Sequence, residues 1–130
     1  MAQDEFEKSP VQVLVVDDQA QFRSVLCDLV TATDGMVLSG EAASGQEALE
    51  AADRLAPQLV VMDVRMPGID GVEATRRLVA AHPGTVVILV SVDGADAEGL
   101  HDCGAAAFLP KQRLSRQALA EAWREHAPAG

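Results

Sequence analysis

Three carboxylates stand where apolar runs stop. Asp17 and Asp18 end the run Val11-Gln12-Val13-Leu14-Val15-Val16, and Asp63 ends a second run, Leu59-Val60-Val61-Met62. Short apolar runs of this kind read as buried strands, so acids at their ends mark a site at the mouth of a sheet. Three carboxylates gathered without a counter-charge would raise at least one pKa by mutual repulsion. A hard divalent cation with oxygen ligands removes that cost, and Mg²⁺ with phosphate chemistry is the first reading of the set.

The elements that must position these acids follow from periodicity. Apolar runs alternate with helix-period segments five times, the pattern of a parallel sheet with helices on both faces. Strands are predicted near Gln12–Val16, Met36–Ala42, Leu59–Met62, Thr85–Ser91 and Ala107–Leu109. Phe22, Val25, Leu26, Leu29 and Val30 repeat at the three-and-four spacing of one helix face, as do Ala48, Leu49, Ala52 and Leu55. Ser44 with Glu47 fits a capping box, and Asp70 before Gly71-Val72-Glu73 offers another acceptor to free helix amides. The runs Val13–Val16 and Val86–Val90 do not alternate and should be covered on both faces. Pro110, after the last run, fits an edge strand, where a missing donor costs little. The fourth helical segment, from Asp93 to Leu100, carries two glycines, each worth about 1 kcal/mol against helix, and is expected to be short and mobile.

Composition narrows the function. At 130 residues the chain is one domain, able to bury roughly two thirds of its unfolded surface. The net charge of −10 argues against direct contact with nucleic acid, which requires clustered Lys and Arg. No apolar run approaches the ~18 residues of a membrane span and residues 1–10 are polar, so a cytoplasmic protein is expected. Cys27 and Cys103 lack metal-ligand spacing and read as plain reduced thiols. Trp123 is expected to pack the last helix on the sheet, Arg76 and Arg77 to form a solvated helix face, and His82, His101 and His126 to be solvated.

In a doubly wound sheet ligands sit at the carboxyl ends of the strands, which gathers Asp17, Asp18 and Asp63 around one crevice with Ser91 and Lys111 at its border. Acids, serine and lysine at successive strand ends, with the stretch Met62-Asp63-Val64-Arg65-Met66-Pro67-Gly68-Ile69-Asp70-Gly71, resemble the receiver domain of bacterial two-component response regulators, and in particular receivers that usually precede a helix-turn-helix output domain. The resemblance covers about Val11 to His126.

The resemblance implies an α/β fold with a single doubly wound, five-stranded parallel sheet, flavodoxin-like, in strand order 2-1-3-4-5 with five helices. It makes residues 11–126 the receiver, flanked by tails at 1–10 and 127–130, with no output domain. Asp63 would be the phospho-acceptor, supplied by a histidine kinase or a small phosphodonor. Mg²⁺, for which Mn²⁺ could substitute, would be held by Asp18, Asp63 and the Arg65 backbone carbonyl, with Asp17 acting through a water. Lys111 and Ser91 would contact the phosphoryl group. Ser91 and Phe108 would form the switch, although an ordinary core aromatic explains Phe108 equally well. Arg65 and Asp93 flank the crevice as a phosphoryl gate, with their opposite charges paired or not. Receivers commonly carry proline after the lysine, with a cis bond; here Gln112 follows Lys111, and a cis bond there would cost about 2.5 to 4 kcal/mol.

The expected function is a phosphorylation-operated switch, not an enzyme acting on other molecules. It would signal to an unknown protein partner through the fourth helix, fifth strand and fifth helix, with phosphorylation-dependent dimerisation as an option. Three alternatives stand beside it. The chain could be a fragment of a DNA-binding regulator. An aspartate-dependent Mg²⁺ phosphatase usually has its second acid two residues after the nucleophile, whereas the acids here are adjacent. A flavodoxin-like nucleotide binder would need the small phosphate-cradling residues that Asp17-Asp18-Gln19-Ala20-Gln21 lacks.

Overall fold

The computed structural model describes residues 9–92 and 102–128. Strand β1 (Val11–Val16) is central because Val13 to Val16 are apolar on both sides of the pleat, and all four are fully buried. Helix α1 (Ala20–Ala32) leads to β2 (Met36–Ala42), then α2 (Gly45–Leu55), β3 (Leu59–Asp63), α3 (Gly71–Ala81) and β4 (Val86–Ser91). The chain returns as β5 (Ala107–Pro110), a 3₁₀ turn over Lys111–Arg113, and α4 (Arg116–His126). The five strands are parallel in the order β2-β1-β3-β4-β5, the arrangement expected from the sequence. Strand bounds shift by one residue at most: Val11, Asp63 and Pro110 join their strands and Thr85 leaves its own. Pro110 pairs with Ser91 on the edge strand.

Each face of the sheet buries its own core. Leu14, Val16, Val60, Met62 and Leu89 pack against Ala48 and Ala52 of α2 and Ala74 and Leu78 of α3. Val13, Val15, Val61, Ile88 and Val90 pack against Leu26 and Val30 of α1 and Leu119 and Ala122 of α4, with Trp123 half-buried beside them. Val25 departs from the expected face and is 54 % exposed, the residues that pack being Leu26 and Val30. One irregularity touches β1: the register with β2 slips between Val13 and Leu14, and the extra residue, Ser39, donates its hydroxyl to the Val13 carbonyl at 3.0 Å.

Helix ends carry the expected acceptors. Ser44 Oγ accepts from the Glu47 amide at 3.1 Å while Glu47 accepts from the Ala43 amide at 3.0 Å, and Asp70 Oδ1 accepts from the Glu73 amide at 2.9 Å. Among the described residues there are four α-helices rather than five; the fourth predicted helix, Asp93 to Leu100, lies outside them, as does His101. His82 is not a merely solvated histidine, because its Nε2 lies 2.8 Å from Asp53 Oδ1 and ties the end of α3 to α2. Arg76 and Arg77 are exposed and pair with Glu73 of their own helix. Cys27 and Cys103 are not joined in a disulfide; burial above all, then the charge of Glu41, pushes Cys27 up to about 11, so it is a neutral thiol at pH 7.

Helix α2 ends on Ala56, a non-glycine residue in the left-handed region with φ 48°. Glycine avoids the Cβ clash there, so Ala56→Gly is expected to stabilise the fold by about 0.5 to 1 kcal/mol. A higher urea midpoint with unchanged slope would register it.

Candidate functional site

The mouth of the sheet is formed where β1, β3 and β4 end side by side. Pairing of β1 with β3 ends at Val16↔Met62, and pairing of β3 with β4 at Asp63↔Val90, so the next residues of β1 and the last of β3 reach the same rim. Asp17, Asp18 and Asp63 converge there, with one carboxylate oxygen from each within 4.8 Å of the others. Asp17 is fully buried, Asp63 is 7 % exposed and Asp18 faces solvent. Ser91, 2 % exposed, ends the adjacent strand and lines the same open cavity of about 240 Å³ with Asp18, Asp63, Arg65 and Lys111.

Lys111 arrives from the far side, at the start of the turn after β5. Its Nζ lies 3.4 Å from Asp17 Oδ2 and 3.6 Å from Asp63 Oδ1, and 3.9 Å from the centre of the Phe22 ring. The Lys111–Gln112 bond is trans, as are all the described peptide bonds. Asp17 and Asp63 thus share one ammonium. Burial raises the pKa of Asp63, and the like charge of Asp17 adds to it; Lys111 and the hydrogen bond from the Arg65 amide act in the opposite direction.

The donor set fits a small hard cation. Oxygens around Mg²⁺ at about 2.0–2.1 Å stand roughly 3 to 4 Å apart, so small rotations of the three side chains would close the present spread. Burial of two of the acids and the shortage of positive charge separate this cluster from ordinary surface acids, which water stabilises.

Other groups hold the acids in place. Asp17 Oδ1 accepts from the Gln19 amide at 2.8 Å, so this carboxylate fastens its own loop instead of capping α1, whose N-terminus has no side-chain cap. Arg23 donates from Nη1 to the Asp17 carbonyl at 2.8 Å and from Nε to Glu41 Oε1 at 2.9 Å. Gly71, first in α3, donates to the Val64 carbonyl at 2.8 Å, and a Cβ on it would stand 2.3 Å from the Asp63 carbonyl oxygen. Phe22, Arg23 and Glu41 were not legible as site residues; the signal that could have found the first two is their place four and five residues after Asp18, at the start of α1. Phe108 is half-buried against the core beneath α2 and α3. Arg65 is exposed at the rim, and Asp93, its suggested gate partner, lies outside the described residues.

Comparison with known proteins agrees with this geometry. The response regulator receiver domain matches over residues 13–124. The response regulator GacA of Pseudomonas protegens is 43% identical over 103 residues, covering 78% of this chain and 48% of that protein. Protein-glutamate methylesterase/protein-glutamine glutaminase 4 of Myxococcus xanthus is 40% identical over 108 residues, covering 81% of this chain and 31% of that protein. The chain therefore spans half or less of the length of these relatives. Among solved structures, the response regulator domain of Thermotoga maritima CheB superposes with a TM-score of 0.77 at 34% identity, covering 89% of this chain and 95% of that one. The receiver domain of NarL from Mycobacterium tuberculosis gives a TM-score of 0.80 at 30% identity, covering 90% and 95%. A match across nearly the whole described sheet, joined to a strand-end acid cluster in the same topology, makes this chain a member of the response regulator receiver family of two-component signalling.

Proposed function

We propose that the chain is a phospho-acceptor switch in which Asp63 takes a phosphoryl group from the phosphohistidine of a histidine kinase. A carboxylate oxygen of Asp63 would attack phosphorus, the P–N bond to the kinase imidazole would break, and an acyl phosphate would form on Asp63. Mg²⁺ held by Asp18, Asp63 and the Arg65 carbonyl, with Asp17 through a water, would supply charge neutralisation for the phosphoryl oxygens. Lys111 would offer its ammonium to one equatorial oxygen and Ser91 its hydroxyl to another, where the charge of a loose transition state accumulates. The observation that supports this reading most is the convergence of three acids and Lys111 at one rim.

Phosphorylation adds up to about two negative charges beside Ser91 and Lys111. Two or three charge-assisted hydrogen bonds at about 1.5 to 3 kcal/mol each approach the ~5.5 kcal/mol that turns a 1:99 equilibrium over. The response would be read by a protein partner, or by a second copy, on the face that carries β5 and α4, with Phe108 of β5 as the switch aromatic; the fourth predicted helix, assigned to the same surface from the sequence, lies outside the described residues. The only chemistry assigned is the gain and loss of the chain's own phosphoryl group. Incubation with phosphoramidate and Mg²⁺ should give an acid-labile label on the protein with no sustained hydrolysis of p-nitrophenyl phosphate. Steady ester turnover would favour the phosphatase reading instead.

A further inference from the structure

Three groups place the Lys111 ammonium: Asp17 Oδ2 at 3.4 Å, Asp63 Oδ1 at 3.6 Å and the Phe22 ring at 3.9 Å. Under the proposed chemistry both carboxylates change, Asp63 by becoming an acyl phosphate and Asp17 by turning toward a hydrated cation. The ring is the one contact of the three whose charge stays constant. Lysine needs such a contact, because its ammonium rides on a flexible four-carbon stem and finds no rigid fork geometry of its own. Phe22 can supply it: it stands in the first turn of α1, half-buried against the core under α1 and α4, with its face toward an ammonium whose side chain is only 11 % exposed. Partial exclusion of water strengthens attraction between a cation and an aromatic face.

We propose that Phe22 is a positioning residue, which holds the Lys111 ammonium at the mouth of the site so that it meets the phosphoryl group arriving on Asp63. The ring touches no reacting atom and acts through Lys111 alone, so the inference rests on the role proposed for Lys111. Phe22→Leu keeps the apolar contact with the core and removes the aromatic face. Phosphorylation by phosphoramidate at saturating Mg²⁺ is expected to slow about 3- to 10-fold in Phe22→Leu. In the Lys111→Ala background the same substitution should change nothing, and Phe22→Tyr should retain most of the wild-type rate. Ring-current displacement of the Lys111 Cε protons in the NMR spectrum should be present in wild type and lost in Phe22→Leu, a signature that packing alone would not move. Equal slowing by Phe22→Leu with and without Lys111 would reduce the ring to packing and overturn the proposal. If Lys111→Ala by itself left the rate unchanged, the role of Lys111 would fall, and the inference with it.

Discussion

Gly71→Ala is expected to destabilise the fold by about 2 to 3 kcal/mol and to weaken Mg²⁺ binding at the same time. The new methyl would stand 2.3 Å from the Asp63 carbonyl oxygen and 2.8 Å from Val64 Cα, both backbone atoms that no rotamer change can move aside. Relief requires α3 to draw away from the end of β3, which breaks the Gly71–Val64 hydrogen bond and displaces Asp63, the proposed phospho-acceptor. Gly84→Ala is the control, because a Cβ there meets nothing within 4 Å. Urea unfolding of the two variants should separate widely, whereas similar midpoints would show that the rim tolerates the methyl and that the tight seat of Asp63 is not a constraint.

The second large effect concerns charge. Asp18→Asn should weaken Mg²⁺ affinity by at least about tenfold, since even substitutions beyond the ligands themselves cost 10- to 100-fold at metal sites. The apo fold should be as stable or more stable, because repulsion within the cluster falls. Asp63 supplies the pH dependence. Its folded pKa is raised, chiefly by burial and then by Asp17, so the folded chain binds this proton more readily than the unfolded chain does. Its ionisation therefore destabilises the fold at neutral pH, and that cost is relieved as pH falls through the folded pKa and is gone below the ordinary value of 3.8. Asp63→Asn should accordingly be more stable than wild type at pH 7, with the difference closing on acidification across that window. Calorimetric titrations should show wild-type Mg²⁺ affinity falling in the same window as protons compete for the carboxylate. Unchanged Mg²⁺ affinity in Asp18→Asn, or a stability gap that widens in acid, would contradict the proposed ligation and the assigned electrostatics respectively.

Legibility in the sequence followed contact range. Parallel strands buried on both faces must be continuous apolar runs, so β1, β3 and β4 stand out, and with them the acids at their ends. Capping by Ser44 and Asp70 is local chemistry within three residues and was equally visible. The misses depend on tertiary neighbours. Spacing put Val25 with Phe22 and Leu26, but the stripe that the sheet covers is narrower than the spacing suggests. The partner of His82 is on another helix, and the bulge at Ser39 answers a carbonyl on another strand. Phe22 read as an ordinary core residue because nothing near it in sequence announces Lys111, which is far along the chain and comes to it only through the sheet order. Lys111 reaches the acids without the proline that receivers commonly carry after this lysine, from a turn that begins at Lys111 itself.

Intact mass after incubation with acetyl phosphate or phosphoramidate and Mg²⁺ tests the central claim most directly. Wild type should gain one phosphoryl group, lost on acid or hydroxylamine treatment, and Asp63→Asn should gain none while remaining folded. An undiminished gain in Asp63→Asn would contradict the assignment of Asp63 as the acceptor and the switch built on it.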